Sequence, residues 1–232
     1  QNITPDMVAA QIDAVYTDIP PAAVKIGMVS SAELICTIAD RLEAHHARHI
    51  VLDPVMVATS GAKLIDDDAI TALTERLFPL AEVITPNIPE TEVLLDLIAH
   101  RGASLDPAKW AEDTDRESTR IVSDTAMEDA GRTVSEHYGC AVLVKGGHGV
   151  ADASDLLYAD GVATWIHGVR VDNPNTHGTG CTLSSAIASN LAKGEALPDA
   201  IRHAKDYLTG ALGAQLNLGH GSGPMDHAWH WR

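Results

Sequence analysis

Residues 49–54 read His-Ile-Val-Leu-Asp-Pro, a short run of large apolar residues that ends at a proline. Such a run is typical of a strand that is buried on both faces, which proline cannot continue. Similar short runs stand at residues 23–27, 83–85 and 141–144. The stretches between them carry apolar residues at helical spacing, so strands and helices alternate. This alternation predicts an α/β fold, with a mostly parallel sheet covered by helices.

Several helix starts can be read from capping residues. Thr4 followed by Pro5 predicts the start of a first helix, and Ser30 with Glu33 predicts a capping box for the next. The first helix is expected to bury one face, formed by Val8, Ile12, Val15 and Ile19. Two further helices, at about 179–193 and 198–214, are expected to close the fold.

Other segments depart from the alternation. Residues 155–171 read as antiparallel strands, with Asp160-Gly161 as a hairpin turn. Residues 101–125 are acidic and poor in aliphatic side chains, which predicts a surface insertion within a single domain spanning 1–232. The tail from Gly219 is rich in glycine and histidine and is expected to be a flexible terminus. Because the chain begins directly before a helix, we expect N-terminal strand–helix units to be missing.

The composition narrows the class of protein. The net charge of −16 argues against nucleic acid or an anionic membrane as a partner. Three cysteines lie far apart without a CxxC pair, which favours a reducing, cytoplasmic location over a disulfide framework. No apolar run is long enough to span a bilayer.

The strongest local signal is Asn-Thr-His-Gly-Thr-Gly-Cys-Thr at residues 175–182, directly before a helical apolar pattern. Glycines at the start of a helix let backbone N–H groups converge on an anion, and the helix dipole adds to the attraction. Cys181 would stand in the first turn, where its side chain can act as a base. The same residues are also typical of a glycine-rich turn with a small buried cysteine.

Residues 178–188, GTGCTLSSAIA, resemble the C-terminal signature of the ribokinase-like kinases. Most relatives have aspartate where this chain has Cys181, and cysteine preceded by NTH is similar to the hydroxymethylpyrimidine kinases of thiamine biosynthesis. The resemblance implies a ribokinase-like three-layer sandwich, often dimeric, that uses ATP and Mg²⁺ to phosphorylate a hydroxymethylpyrimidine and then its monophosphate. It makes Cys181 the group that activates the substrate hydroxyl and assigns the anion-binding amides to Gly178, Gly180 and Cys181, with Thr179 as a further catalytic residue of the same loop.

Two further motifs fit this resemblance. Asn87 and Glu90, in Asn-Ile-Pro-Glu, look like the NxxE motif that organises magnesium and phosphates, although the pair by itself is more typical of a helix cap. Asp53 and Lys145 each end a strand at the edge where open α/β sheets bind ligands. The resemblance assigns Asp53 to the nucleotide and metal, with Glu90, and Lys145 to the phosphates. Without the resemblance, Asp53 and Lys145 are equally typical of residues at turns.

The resemblance also implies contacts with substrates. Lys205 would lie on the helix beside the adenine site. A wall for the flat pyrimidine would come from Gly27, Met28, Val55 and Met56, although apolar residues at this spacing are more often part of a core. Two other functions remain open, a pyridoxal kinase of the same fold and a non-catalytic pyrimidine- or nucleotide-binding module.

Overall fold

The computed structural model of the chain describes residues 3–56, 64–99, 119–146, 153–173, 175–216, 218, 220 and 223–231. Residues 101–118 of the expected insertion therefore lie outside the described residues.

The described segments form helices and strands that alternate along most of the chain. The strands are β1 (Val24–Ile26), β2 (Ile50–Leu52), β3 (Val83–Ile84), β4 (Ala141–Val144), β5 (Asp155–Ala159) and β6 (Val162–Ile166). The helices are α1 (Pro5–Asp18), α2 (Ala32–Ala44), α3 (Asp67–Ala72), α4 (Ile88–Ala99), α5 (Asp124–Tyr138), α6 (Thr179–Ala192) and α7 (Leu197–Gly213). Helix α3 continues into a π turn, Leu73–Leu77, and a 3₁₀ turn, Phe78–Leu80; another 3₁₀ turn spans Trp229–Trp231.

The six strands lie side by side in the order in which the chain makes them. Strands β1 to β4 are parallel, and β5 and β6 add to the edge at β4 as an antiparallel hairpin. Asp160 and Gly161 join the hairpin with φ values of 51° and 77°. Both angles are those of a tight turn whose twist suits paired strands. The mostly parallel sheet and its hairpin confirm the fold expected from the sequence.

Side chains of the sheet alternate between two apolar layers. On one face Leu52, Ile84 and Val144 pack against helices α2 to α5. On the other face Val51, Val83 and Leu143 pack against α6 and α7. Neighbouring residues of one strand thus serve opposite cores, as the pleat requires. The result is a three-layer sandwich with the sheet in the middle.

Two details of the first helices differ from the sequence prediction. Ser31, not Ser30, begins α2, and its hydroxyl accepts a hydrogen bond from Leu34 N at 3.4 Å. The predicted face of α1 is wrong for its second half, because Val15 and Ile19 are exposed. Helix α1 packs on α2 rather than on the sheet, so its buried surface is narrow.

The end of the chain also differs from expectation. Residues 223–231 are packed against α7, and Met225 and Asp226 within them are buried. The prediction of a flexible terminus is therefore wrong for this segment. None of the helices in the described part of the chain combines the length and the apolar character that crossing a membrane requires.

Matched isoleucine substitutions can test this arrangement of helices. We expect Ile35→Ala in α2 to lower the free energy of unfolding by about 2–5 kcal/mol, because the side chain is 0% exposed between helix and sheet. Ile19→Ala, at a residue that is 74% exposed, should change it by less than about 0.5 kcal/mol. Urea unfolding followed by circular dichroism measures both, and equal losses would contradict the described faces.

Candidate active site

The carboxyl ends of the parallel strands meet at one edge of the sheet. Their backbones stay in register just beyond the strands, where Asp53 N donates to Ile26 O at 2.9 Å and Lys145 N donates to Pro86 O at 2.8 Å. Asn87 and Lys145 form a further parallel bridge there. The residues that follow each strand are therefore brought together, although the sequence separates them widely.

Asp53 and Lys145 form an ion pair at this edge. Lys145 Nζ lies 2.7 Å from Asp53 Oδ1, which also accepts a hydrogen bond from Thr85 Oγ1 at 3.1 Å. Asp53 is 2% exposed, so its charge depends on these partners. Both bonds use Oδ1, and Oδ2 lies toward Gly180. Sequence reasoning missed Thr85, whose only signal was its place at a strand end.

The glycine loop closes over this ion pair. A β-carbon placed on Gly180 would lie 3.3 Å from Asp53 Oδ2 and 3.4 Å from Lys145 Nζ, so the backbone passes directly beside both charges. Helix α6 begins at Thr179, after Gly178, whose φ of 84° suits glycine. Among the described residues no side chain caps this end, and the first N–H groups of a helix have no partner within it. Of these, Thr179 N donates to Thr176 O at 3.3 Å, and the N–H groups of Gly180 and Cys181 are placed to bind an anion.

Cys181 stands in the first turn of α6 and is exposed. The reading of Cys181 as a buried packing residue is therefore wrong. It lines a cavity of about 470 Å³ together with loop residues on one side and residues of the C-terminal segment on the other. The cavity residues are His177, Gly178, Cys181, Thr182, Gly223, Pro224, Met225 and His227.

Asn87 and Glu90 cap helix α4 and also face the ion pair. Asn87 N donates to Glu90 Oε2, and Glu90 N donates to Asn87 Oδ1, each at 2.8 Å, which is a reciprocal capping box. Burial raises the pKa of Glu90 to about 7, while the charge of Lys145 lowers it and that of Asp53 raises it. Glu90 therefore serves the helix cap and belongs to the same charge cluster. Within the described residues no group of three or more His, Cys, Asp or Glu side chains is arranged to hold a metal by itself.

Lys205 is 7% exposed. Its ammonium pairs with Asp155, whose other oxygen accepts a hydrogen bond from Gly146 N at 2.9 Å. Burial raises the pKa of Asp155, and Lys205 lowers it. Lys205 thus supports the backbone that follows Lys145. Sequence reasoning missed Asp155, since nothing local distinguishes an aspartate that opens a strand.

The four residues expected to contact a pyrimidine do not share one environment. Met28 is 59% exposed just beyond β1, and Gly27 and Val55 are half-buried. Met56 is 0% exposed and packs in the core between the sheet and helices α2 to α5. The core reading of Met56 is the one that the structure supports.

The parallel sheet, the glycine loop at a helix start and the cation beneath it define a ribokinase-like kinase. In agreement, a solved phosphomethylpyrimidine kinase from Clostridium difficile superposes with a TM-score of 0.70 at 34% identity, over 90% of this chain and 77% of that one. A pyridoxal kinase from Staphylococcus aureus, solved with AMP-PCP, superposes with a TM-score of 0.79 at 25% identity, over 100% of this chain and 77% of that one.

Sequence comparison identifies the family. Residues 1–226 match the family model described as phosphomethylpyrimidine kinase, and the chain belongs to that family. It is 42% identical over 234 residues to the hydroxymethylpyrimidine/phosphomethylpyrimidine kinase of Rhizobium meliloti, covering 100% of this chain and 80% of that one. It is 44% identical over 227 residues to the thiamine biosynthesis bifunctional protein ThiED of Geobacter sulfurreducens. That match covers 97% of this chain but only 42% of the longer relative.

The raised pKa of Glu90 predicts a pH-dependent effect on stability. Burial raises the pKa of Glu90 in the folded protein to about 7, from an ordinary value of 4.5. Because the folded state binds the extra proton, this contribution to stability is complete below about pH 4.5 and is lost as the pH rises through about 7. The measurement is made in a buffer with a metal chelator, so that no metal ion binds the carboxyl. Under this condition Glu90→Gln should raise the free energy of unfolding at pH 8 by on the order of 2–3 kcal/mol relative to the wild type.

The same substitution should have a much smaller effect at pH 5, where the Glu90 side chain of the folded protein is neutral, as glutamine is. Glu136→Gln, on the exposed side of α5, serves as the control and should change the free energy of unfolding by less than about 0.5 kcal/mol at both pH values. Urea unfolding at the two pH values provides the measurement. A gain from Glu90→Gln that is the same at pH 5 and pH 8 would show that Glu90 is ionised throughout.

Proposed function

We propose that this chain phosphorylates the hydroxymethyl group of 4-amino-5-hydroxymethyl-2-methylpyrimidine, and then the resulting monophosphate, with MgATP as the donor. Membership of the phosphomethylpyrimidine kinase family supports the substrate class. The transfer is in line. The substrate oxygen forms a bond to the γ-phosphorus, the bond to the β,γ-bridging oxygen breaks, and ADP leaves.

The glycine loop and Cys181 carry the chemistry in this proposal. The Cys181 side chain, as the thiolate, takes the proton of the attacking hydroxyl and becomes the thiol, and its exposure beside the cavity gives a substrate access to it. Amides of residues 178–181 bind the transferred phosphoryl group, whose charge spreads over three oxygens in the transition state. These groups are preorganised, because a helix start holds them in place before the substrate arrives.

Lys145 supplies the positive charge that a polyphosphate needs in a protein of net charge −16. Its ion pair with Asp53 holds the ammonium next to Gly180, and therefore next to the proposed phosphoryl position. This contact between the glycine loop and the ion pair is the observation that carries the proposal. It joins an anion-binding backbone and a fixed cation at one point.

The carboxylates fit a magnesium ion of the kind that accompanies nucleotides. Mg²⁺ prefers oxygen ligands, keeps several waters and is usually held by one or two carboxylates together with phosphates. Asp53 Oδ2 and the Glu90 carboxyl would hold such an ion, directly or through its waters, with the Asn87 amide beside them. When bound, the ion neutralises charge on the β- and γ-phosphates. Asp53 and Glu90 would orient it, and Lys145 would neutralise phosphate oxygens.

Removing the thiol tests the central step. We expect Cys181→Ala to lower kcat by roughly 100-fold or more, the contribution of a positioned base, while the dissociation constant for ADP changes less than about threefold. Cys36→Ala is the control, because Cys36 lies on α2 within the opposite core layer. Coupled ADP release and calorimetry provide the two measurements. Unchanged turnover in Cys181→Ala would remove the thiol from the mechanism.

A pyridoxal kinase is the second candidate function, and the superposition on the Staphylococcus aureus enzyme favours it. Both substrates are flat aromatic rings with a hydroxymethyl group, so the shared site would treat the reacting oxygen alike. We expect kcat/KM for the hydroxymethylpyrimidine to exceed that for pyridoxal by at least about tenfold, a difference of about 1.4 kcal/mol. Competition between the two in one assay, with both products quantified, checks this. The reverse preference would assign the chain to pyridoxal.

Two further points concern the cellular compartment in which the chain acts and the alternative of a non-catalytic binding module. An exposed cysteine that acts as a base requires a reducing compartment, which supports a cytoplasmic site of action. If the wild-type chain raises its melting temperature with pyrimidine or ADP but forms no ADP from ATP, it is a binding module and the kinase proposal fails.

A further inference from the structure

The C-terminal segment Gly223–Trp231, which we call the strap, is fastened to helix α7. Asp226 N donates to Ala211 O at 3.3 Å, and Tyr207 OH donates to His227 O at 2.9 Å. The Trp229 ring lies so close to Gly210 that a side chain at position 210 would overlap it. These contacts fix one end of the strap on a long helix of the scaffold.

The other end of the strap is fastened to Asn175, which precedes the glycine loop. Gly223 N donates to Asn175 Oδ1 at 2.6 Å, and Asn175 Nδ2 donates to Leu216 O at 3.2 Å. Asn175 is 8% exposed, and its own N–H donates to Asn173 Oδ1 at 2.8 Å. The Asn175 side chain therefore ties the start of the loop to two separate parts of the C-terminal chain.

Gly223 is needed at this contact for reasons of space. A β-carbon on it would lie 2.8 Å from Asn175 Oδ1 and 3.0 Å from Asn175 Cγ and Nδ2. Atoms cannot approach so closely without displacement, so any larger residue would push the amide away. The strap thus fits Asn175 through a backbone that carries no side chain.

The strap also forms a wall of the cavity at Cys181. Gly223, Met225 and His227 line this cavity opposite the glycine loop. The Met225 methyl group lies 3.8 Å from the position of a β-carbon on Gly178. The loop is therefore supported by the strap at Gly178 and by the Asp53–Lys145 pair at Gly180.

We propose that Asn175 is a positioning residue, through which the strap holds the amides of residues 178–181 in the geometry needed for phosphoryl transfer. The expected loss of kcat rests on the proposed function, whereas the expected loosening of the glycine loop does not. Amides that stabilise a transition state must be held within a fraction of an ångström, and supporting hydrogen bonds provide that hold. The strap thereby makes a segment far from the sheet edge part of the catalytic machinery.

Paired glycine substitutions test the proposal in the full chain. Gly223→Ala adds a methyl group against Asn175, whereas Gly213→Ala adds one where no atom lies within 4 Å. We expect Gly223→Ala to lower kcat by roughly 10- to 100-fold with KM for the pyrimidine within about threefold. The amide hydrogens of Thr179 and Thr182, which donate to Thr176 O and Gly178 O, should exchange roughly tenfold faster. Gly213→Ala should match the wild type in both measurements.

A double-mutant cycle separates positioning from general damage. Asn175→Ala should reproduce the loss of kcat, and it leaves space for the methyl group of Gly223→Ala. Adding Gly223→Ala to Asn175→Ala should therefore lower kcat by less than about twofold, because both changes break one contact. If Gly223→Ala fails to fold, Asn175→Ala alone decides, by kcat and by hydrogen exchange of Thr179 and Thr182.

The possible outcomes are distinct. Losses of kcat that multiply in the double variant, or a Gly223→Ala enzyme equal to Gly213→Ala, would overturn the proposal. Lower melting temperatures with unchanged kcat and loop exchange would also overturn it, because the strap would then be merely structural. If the wild-type chain forms no ADP, the proposed function fails, and hydrogen exchange of the loop still decides whether Asn175 and the strap hold it.

Discussion

The buried ion pair between Asp53 and Lys145 is the constraint on which the site depends. Two charges removed from water cost several kcal/mol each unless they are paired in good geometry, and here the partners are 92 residues apart in the chain. They meet only if β2, β3 and β4 keep their register to the last residue. The pair therefore links the order of the sheet to the position of one cation. Because Gly180 lies against both charges, the position of the ion pair also fixes the position of the glycine loop.

Glu90 combines a structural role in the helix cap with the functional role that we propose for it. Its carboxyl closes the capping box of α4 with Asn87 and lies within the field of Asp53 and Lys145. Sequence reasoning had to choose between a helix cap and a phosphate-site carboxylate, because both use an acidic residue three positions after asparagine. The choice was unnecessary. A capping carboxyl at the start of a helix that follows a parallel strand necessarily lies at the ligand-binding edge.

Features that depend on local chemistry were predictable, and those that depend on a distant partner were not. Apolar runs stopped by proline located β2 and β3, and Asp160-Gly161 located the hairpin. The burial of Met56 and the exposure of Val15 depend instead on what packs against each helix or loop, which no spacing in the sequence encodes. The Lys205 partner lies 50 residues away, so its ion pair could not be read from either residue.

The strap shows why composition misleads at a chain end. Glycine in a terminal segment usually means conformational freedom, and that reading predicts a mobile tail. At Gly223 the missing side chain serves close packing instead, since it admits the backbone against Asn175. The glycine loop thus lies between two supports of different kinds, an ion pair at Gly180 and a backbone contact reached through Asn175. A loop held on one side can still rotate about that contact, and in our proposal the support on both sides restricts its amides to one orientation.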